Sequence, residues 1–161
     1  GAQIALMNPG GVRADLTFAQ KGSEGDGVVT YGEAFDVQPF NNLMGVVTLT
    51  GAQLDALLEQ QWTSAGEKIL QPSATLNFTI DRGRPVGDRV SGITVDGTPV
   101  DPSATYRVAA NSFLLDGGDG FTVFTEGTDK VLGPIDLDVF IAYMETNSPI
   151  SRPTLNRISG R

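Results

Sequence analysis

Leu43-Met44-Gly45-Val46-Val47-Thr48-Leu49-Thr50-Gly51-Ala52-Gln53-Leu54 changes character partway along. Residues 43–49 are apolar and rich in β-branched side chains, which suit a pleated, half-buried surface and predict a strand. Thr50 followed three residues later by Gln53 is a capping-box pattern, so the chain passes from strand to helix at that threonine. Beyond it Leu54, Leu57, Leu58 and Trp62 recur at helical spacing and predict one buried face.

The flanks supply the other elements. Residues 2–7 predict a strand that enters a turn at Asn8-Pro9-Gly10-Gly11, and residues 14–19 predict a second strand. The Gly/Ser/acidic run 21–27 predicts an exposed loop, the expected mobile stretch. An apolar strand so close to residue 1 reads as the start of a piece cut from a longer polypeptide. Thr30 and Glu33 repeat the capping-box spacing and open a short helix that Pro39 ends. Residues 75–81 alternate, with Leu76, Phe78 and Ile80 on one side, and residues 81–85 form a polar turn. Residues 90–95 and 98–100 flank Asp96-Gly97, a strong hairpin signal. Residues 106–110 predict a strand and 121–125 a short one. Gly133-Pro134 predicts the start of the last helix, with Leu137, Phe140, Ile141 and Met144 as its buried stripe. Residues 147–153 stop it, and residues 154–158 predict a terminal strand. Several strands, two clear helices and a hairpin fit an α+β fold, a mixed sheet with packed helices, better than a sandwich or a bundle.

The 161 residues, 40% of them hydrophobic, are enough for one domain over residues 1–161 with a substantial core. The formal net charge of -8 disfavours a nucleic-acid backbone or an anionic membrane surface as partner. No apolar run approaches the roughly 20 residues that span a bilayer. The sequence has no cysteine and no histidine, which removes disulfides, thiolate metal sites, the commonest zinc ligand and the usual general base. A Ser-His-Asp triad is excluded and the carboxylates form no evident dimetal cluster, so the chain is expected to have no catalytic or metal-binding residues of its own.

Three segments carry the chemistry that remains. Asn8-Pro9-Gly10-Gly11-Val12-Arg13 follows a strand with a diglycine and a permanently charged arginine, which fits an anion or sugar clamp and equally a tight turn with a solvated arginine. Phe40, between Pro39 and Asn41-Asn42, either stacks on a ligand or plugs the core beneath its loop, and Asn42 either reads a ligand or caps a backbone group. In Asn111-Ser112-Phe113-Leu114-Leu115-Asp116-Gly117-Gly118-Asp119-Gly120-Phe121 the glycines are costly to order and point to a shaped loop, the alternative being a loose Gly-Asp turn. A calcium loop is disfavoured because Asp116 and Asp119 lack the alternating ligands and terminal Glu of an EF-hand. There Asp119 can accept two hydroxyl hydrogen bonds and Phe113 can offer its face to a planar base. Asp136 and Asp138 complement the dipole of the last helix, while Arg82, Arg84 and Arg89 read as a solvated hairpin edge.

With these motifs in order, Asn-x-Gly-Gly-Val-Arg at 8–13, Val-Thr-Tyr-Gly-Glu-Ala-Phe and Pro-Phe-x-Asn between 29 and 42, Leu-Thr-Gly-x-x-Leu at 49–54 and the loop at 111–121, the chain resembles the C-terminal, substrate-binding domain of the 5'-nucleotidase / 2',3'-cyclic phosphodiesterase / UDP-sugar hydrolase family. The resemblance implies that Phe40 and Phe113 sandwich a base, Asp119 binds ribose hydroxyls, Arg13 holds the phosphate, and Asn8 and Asn42 contact the nucleoside. It also implies an N-terminal metallophosphoesterase domain that holds two divalent metal ions, and an extracellular, periplasmic or cell-wall location. The partners so implied are a nucleotide or nucleoside and that N-terminal domain. Two departures stand out. Pro9 replaces a glycine of the family's opening, stiffening the turn and removing one backbone donor. The family's upstream helix and its phosphate-binding arginine precede the first residue here, so the piece alone is expected to bind phosphate weakly, to be inactive, and to self-associate through an apolar patch. A competing expectation is a non-catalytic scaffold or protein-interaction domain on the same fold.

Overall fold

The computed structural model describes residues 1–64 and 66–160. Its elements run β1 (Ile4–Met7), α1 (Tyr31–Val37), β2 (Leu43–Thr50), α2 (Gly51–Glu59), β3 (Trp62–Thr63), β4 (Gly66–Glu67), β5 (Gln71–Pro72), β6 (Leu76–Ile80), β7 (Val90–Val95), β8 (Thr98–Pro99), β9 (Thr105–Asn111), α3 (Ser112–Leu115), β10 (Thr128–Ile135), α4 (Asp136–Asn147) and β11 (Ile158–Gly160). One mixed sheet has the order β10-β2-β9-β1-β5, a second has β11-β6-β7-β8, and β3 and β4 form a small ribbon.

Both capping boxes form. Thr30 N–H donates to Glu33 Oε2 at 2.9 Å while Glu33 N–H donates to the Thr30 hydroxyl at 3.3 Å. Thr50 and Gln53 do the same at 2.9 and 3.2 Å, so the helix α2 starts where its first orphan donors find side-chain acceptors. Asp96 and Gly97 both take positive φ, 48° and 76°, the twist that a two-residue turn needs to join β7 to β8.

The core is built between the sheets by α2, which packs against both β2 and β7. Leu54, Leu57 and Leu58 are fully buried there, with Leu49 and Val108 from one sheet and Leu76, Phe78 and Ile80 from the other.

Five readings are corrected by longer-range packing. Residues 14–19 form no strand, because both flanks of β1 are taken, by β5 and β9, and Phe18 is left exposed. Gly133-Pro134 belong to β10, not to a helix start. Pairing of Ile135 with Leu43 extends the edge strand through the proline, which an edge position tolerates, and α4 begins at Asp136. Residues 122–126 are a 3-10 turn instead of a strand, since Phe121 and Phe124 are both buried and their three-residue spacing suits that geometry. The helix α2 ends at Glu59, so Trp62 reaches the core from β3. The terminal strand lies later than expected, at Ile158–Gly160, where it pairs parallel to β6.

The three arginines read as a solvated edge all have partners. Arg82 forms a two-pronged pair with Glu67 at 2.7 and 2.9 Å, Arg84 pairs with Asp88, and Arg89 lies 5.2 Å over the ring of Trp62. Hydrogen bonds from Arg82 and from the Trp62 indole hold the Glu67 carboxyl down at about 2. A carboxyl depressed in the folded state adds stability above its unfolded value, here 4.5, and that contribution disappears as pH falls toward 2. The urea midpoint of the wild-type chain is therefore expected to fall between pH 4.5 and 2 more steeply than that of Glu67→Gln; parallel curves for the two proteins contradict this.

Candidate functional site

Strand register decides which loops meet. The strands β2 and β9 run antiparallel with Met44 opposite Asn111, and β1 runs parallel to β9 with Ala5 opposite Ala109. Consequently the end of β1, the segment just before β2 and the segment just after β9 emerge at the same edge of the sheet. Asn8, Phe40 and Phe113, far apart in sequence, are thereby brought around one cavity of about 380 Å³. The Leu43 N–H donates to the Ser112 hydroxyl at 3.2 Å and ties the two aromatic loops together.

All six residues singled out in the sequence, Asn8, Arg13, Phe40, Asn42, Phe113 and Asp119, line that cavity, with Gly10, Gly11 and Asn111. Phe40 and Phe113 are 51% and 45% exposed, so neither is a core plug. The Phe113 ring lies directly against Gly118; a Cβ there would fall 2.6 Å from two ring carbons, so glycine is required for the ring to sit where it does. The Arg13 guanidinium stands 5.7 Å from the centroid of the Phe40 ring, within cation–π range, and its backbone N–H donates to the Val37 carbonyl at 2.9 Å.

Beneath the rings runs a chain of buried polar groups. The Leu114 N–H donates to Asn111 Oδ1 at 2.9 Å, which makes Asn111 the N-cap of α3. Asn111 Nδ2 donates to Asn8 Oδ1 at 3.0 Å, and Asn8 Nδ2 donates to Asp119 Oδ2 at 2.9 Å. Asn8 and Asn111 are buried and their amides are oriented by these bonds. Asp119 itself has φ of 59°, followed by Gly120 at 91° and preceded two residues earlier by Gly117 at 86°, a turn with left-handed backbone at three positions that presents its carboxylate to Asn8. Its other oxygen, Oδ1, accepts from Lys68 Nζ at 2.7 Å.

Asn42 is partly occupied by structure. Its side-chain amide donates to Asp136 Oδ2 at 3.3 Å and its carbonyl accepts from the Asp136 N–H at 2.8 Å, fastening the start of α4 to the site. Asp136 is accordingly buried and structural. The segment 111–121 is less of a free loop than its glycines suggest, because Leu114, Leu115 and Phe121 are core residues.

Sequence reasoning missed Asn111 and Lys68 as parts of the site. The N-cap pattern of an asparagine at the end of an apolar strand marks Asn111 locally. For Lys68, 51 positions from Asp119, no local signal exists.

An α+β domain whose mixed sheet gathers two exposed phenylalanines, a carboxylate, an arginine and three asparagines around one cavity is the class defined here. Residues 1–126 match the family described as 5'-nucleotidase, C-terminal domain, and the chain belongs to that family. A cell wall protein of Listeria monocytogenes is 34% identical over all of this chain and 21% of its own length. The 5'-nucleotidase of Vibrio cholerae is 32% identical over 92% of this chain and 25% of its own length. The crystal structure of a 5'-nucleotidase precursor from Thermus thermophilus superposes with a TM-score of 0.85 at 36% identity, over 99% of this chain and 31% of that one. The chain thus spans no more than about a third of these relatives, the part that follows their N-terminal region.

No group of three or more Asp, Glu, His or Cys that could hold a metal ion occurs among the described residues, and no described helix is long and apolar enough to cross a membrane.

Proposed function

We propose that this chain is the nucleotide-recognition domain of a larger, exported 5'-nucleotidase-type phosphohydrolase. The observation that carries the reading is the pair of half-exposed phenylalanines lining one cavity with a carboxylate pre-oriented at its floor. Had both rings been buried, the scaffold alternative would have been favoured.

In this reading the base lies between Phe40 and Phe113, where stacking contributes about 1–3 kcal/mol per base. Asp119 accepts hydrogen bonds from the ribose hydroxyls, Asn8 and Asn42 contact the nucleoside, and Arg13 directs the phosphate. Arg13 can do so while staying over Phe40, since the guanidinium edge carries the donors and its face rests on the ring. The relatives extend well beyond the part that this chain matches, and in this reading hydrolysis belongs to a metallophosphoesterase domain on the same polypeptide while the isolated chain binds without turning over. A cell wall protein among the relatives supports an extracytoplasmic setting.

Equilibrium titration of adenosine and AMP into the folded chain tests the proposal. Saturable one-to-one binding with no phosphate release is expected; absence of saturable binding to both contradicts it.

A further inference from the structure

Asp119 is held from both sides. Asn8 donates to Oδ2 and Lys68 to Oδ1, at 2.9 and 2.7 Å, so that each oxygen has given one acceptor position to the protein. A carboxylate offers about four lone-pair sites, two per oxygen, and one on each oxygen is left. That remaining pair of acceptors, side by side, matches the spacing of two vicinal hydroxyls.

Hydrogen bonds tie the segment behind Lys68 to its neighbours. Its backbone N–H donates to the Gln61 carbonyl at 2.8 Å. The Gln61 side chain, fully buried, accepts from the Leu70 N–H at 2.8 Å and donates to the Leu58 carbonyl at 2.7 Å. These bonds clamp residues 68–70 to the end of α2, leaving only the lysine side chain to reach Asp119. Lys68 does not line the cavity, so it acts through the carboxylate.

Charge gives the pair a second consequence. The chain carries a net charge of -8, which opposes the approach of an anionic ligand. With Lys68 neutralising Asp119, Arg13 is the uncompensated charge among the described cavity-lining side chains, and the site is locally cationic on an acidic protein. One carboxylate can thus read a diol without repelling a phosphate attached to the same sugar.

We infer that Lys68 is a positioning residue that makes this site selective for a ribose bearing both hydroxyls, by fixing Asp119 against Asn8 and cancelling its charge. The inference rests on the nucleotide reading of the cavity.

The test compares adenosine with 2'-deoxyadenosine, and adenosine with AMP, in the wild-type chain and in Lys68→Met, Lys68→Arg and Asp119→Asn, each checked for folding by circular dichroism. A hydrogen bond to a charged group contributes enough to predict roughly a tenfold or greater preference for the ribonucleoside in the wild type. Lys68→Met is expected to lose most of that preference, as Asp119→Asn does, and to bind AMP relatively less well than adenosine; Lys68→Arg restores part of both ratios. Simple loosening of the fold weakens all ligands together and leaves the ratios unchanged. If the wild type discriminates and Lys68→Met keeps the wild-type ratios, the role of Lys68 is overturned while the nucleotide reading stands. If the wild type binds none of the ligands, the reading fails and takes this inference with it. Should Lys68→Met not fold, the ratios in Lys68→Arg decide, because arginine preserves charge but moves the donors; unchanged ratios there count against fixed positioning.

Discussion

Phe113→Ala is expected to weaken adenosine binding roughly 5- to 150-fold, the range that corresponds to losing one stacking partner worth about 1–3 kcal/mol. The ring is 45% exposed in the free chain, so little core packing disappears with it and the variant should unfold within about 1 kcal/mol of the wild type. The loss is expected in the upper part of the range because the wall is already in place. Its ring rests against Gly118, and its backbone belongs to α3, which Asn111 caps. A wall that needs no ordering on binding delivers more of its contact energy as affinity. Phe40→Ala is expected to have a similar effect, and also to free Arg13 from the ring it stands over. Unchanged affinity in both variants would show that the cavity does not stack a base.

A large stability effect from a polar substitution is expected at Asn111. Its Oδ1 caps α3 and its Nδ2 donates to Asn8 Oδ1, in a position only 2% exposed. In Asn111→Ala the missing cap costs about 0.5–2 kcal/mol, and the Asn8 oxygen loses its protein donor in a buried setting, a further cost of about 1–3 kcal/mol. Urea unfolding should therefore show a loss of about 2–4 kcal/mol. Asn8 is then no longer oriented toward Asp119, so nucleoside affinity should fall as well. Asn111→Asp separates the two roles: it keeps an acceptor for the Leu114 N–H but has no donor for Asn8, and it should retain the helix cap while still weakening binding. A change below about 0.5 kcal/mol in Asn111→Ala would mean that the polar chain beneath the rings contributes nothing.

Local chemistry made part of this molecule legible before its structure. Thr30 with Glu33 and Thr50 with Gln53 satisfy their helix starts within four residues, and Asp96-Gly97 closes its hairpin within two, so short-range pattern was sufficient. The cavity was legible in outline because its residues sit beside glycines and asparagines that are costly to order without a purpose, even though the 111–121 segment also packs Leu114, Leu115 and Phe121 into the core. What local pattern missed depends on pairing between distant segments. Pro134 looks like a helix start until β2 claims it as an edge strand. Residues 121–125 look like a strand until the burial of Phe121 and Phe124 three apart selects a 3-10 turn. The contact between Lys68 and Asp119 follows only from the way β3, β4 and the loop after α3 are folded together. Arg82 and Glu67, 15 residues apart, were hidden for the same reason.

The proposed recognition of a nucleotide by this domain rests above all on a nucleoside binding between the two rings. Adding adenosine to the isotopically labelled chain and following backbone amide and phenylalanine ring signals by NMR locates it. Saturable shifts concentrated at residues 8–13, 40–42 and 111–121, with the ring protons of Phe40 and Phe113 moving upfield from a stacked base, are predicted. Saturable shifts confined to other surfaces, or rings that do not respond at saturation, would contradict it.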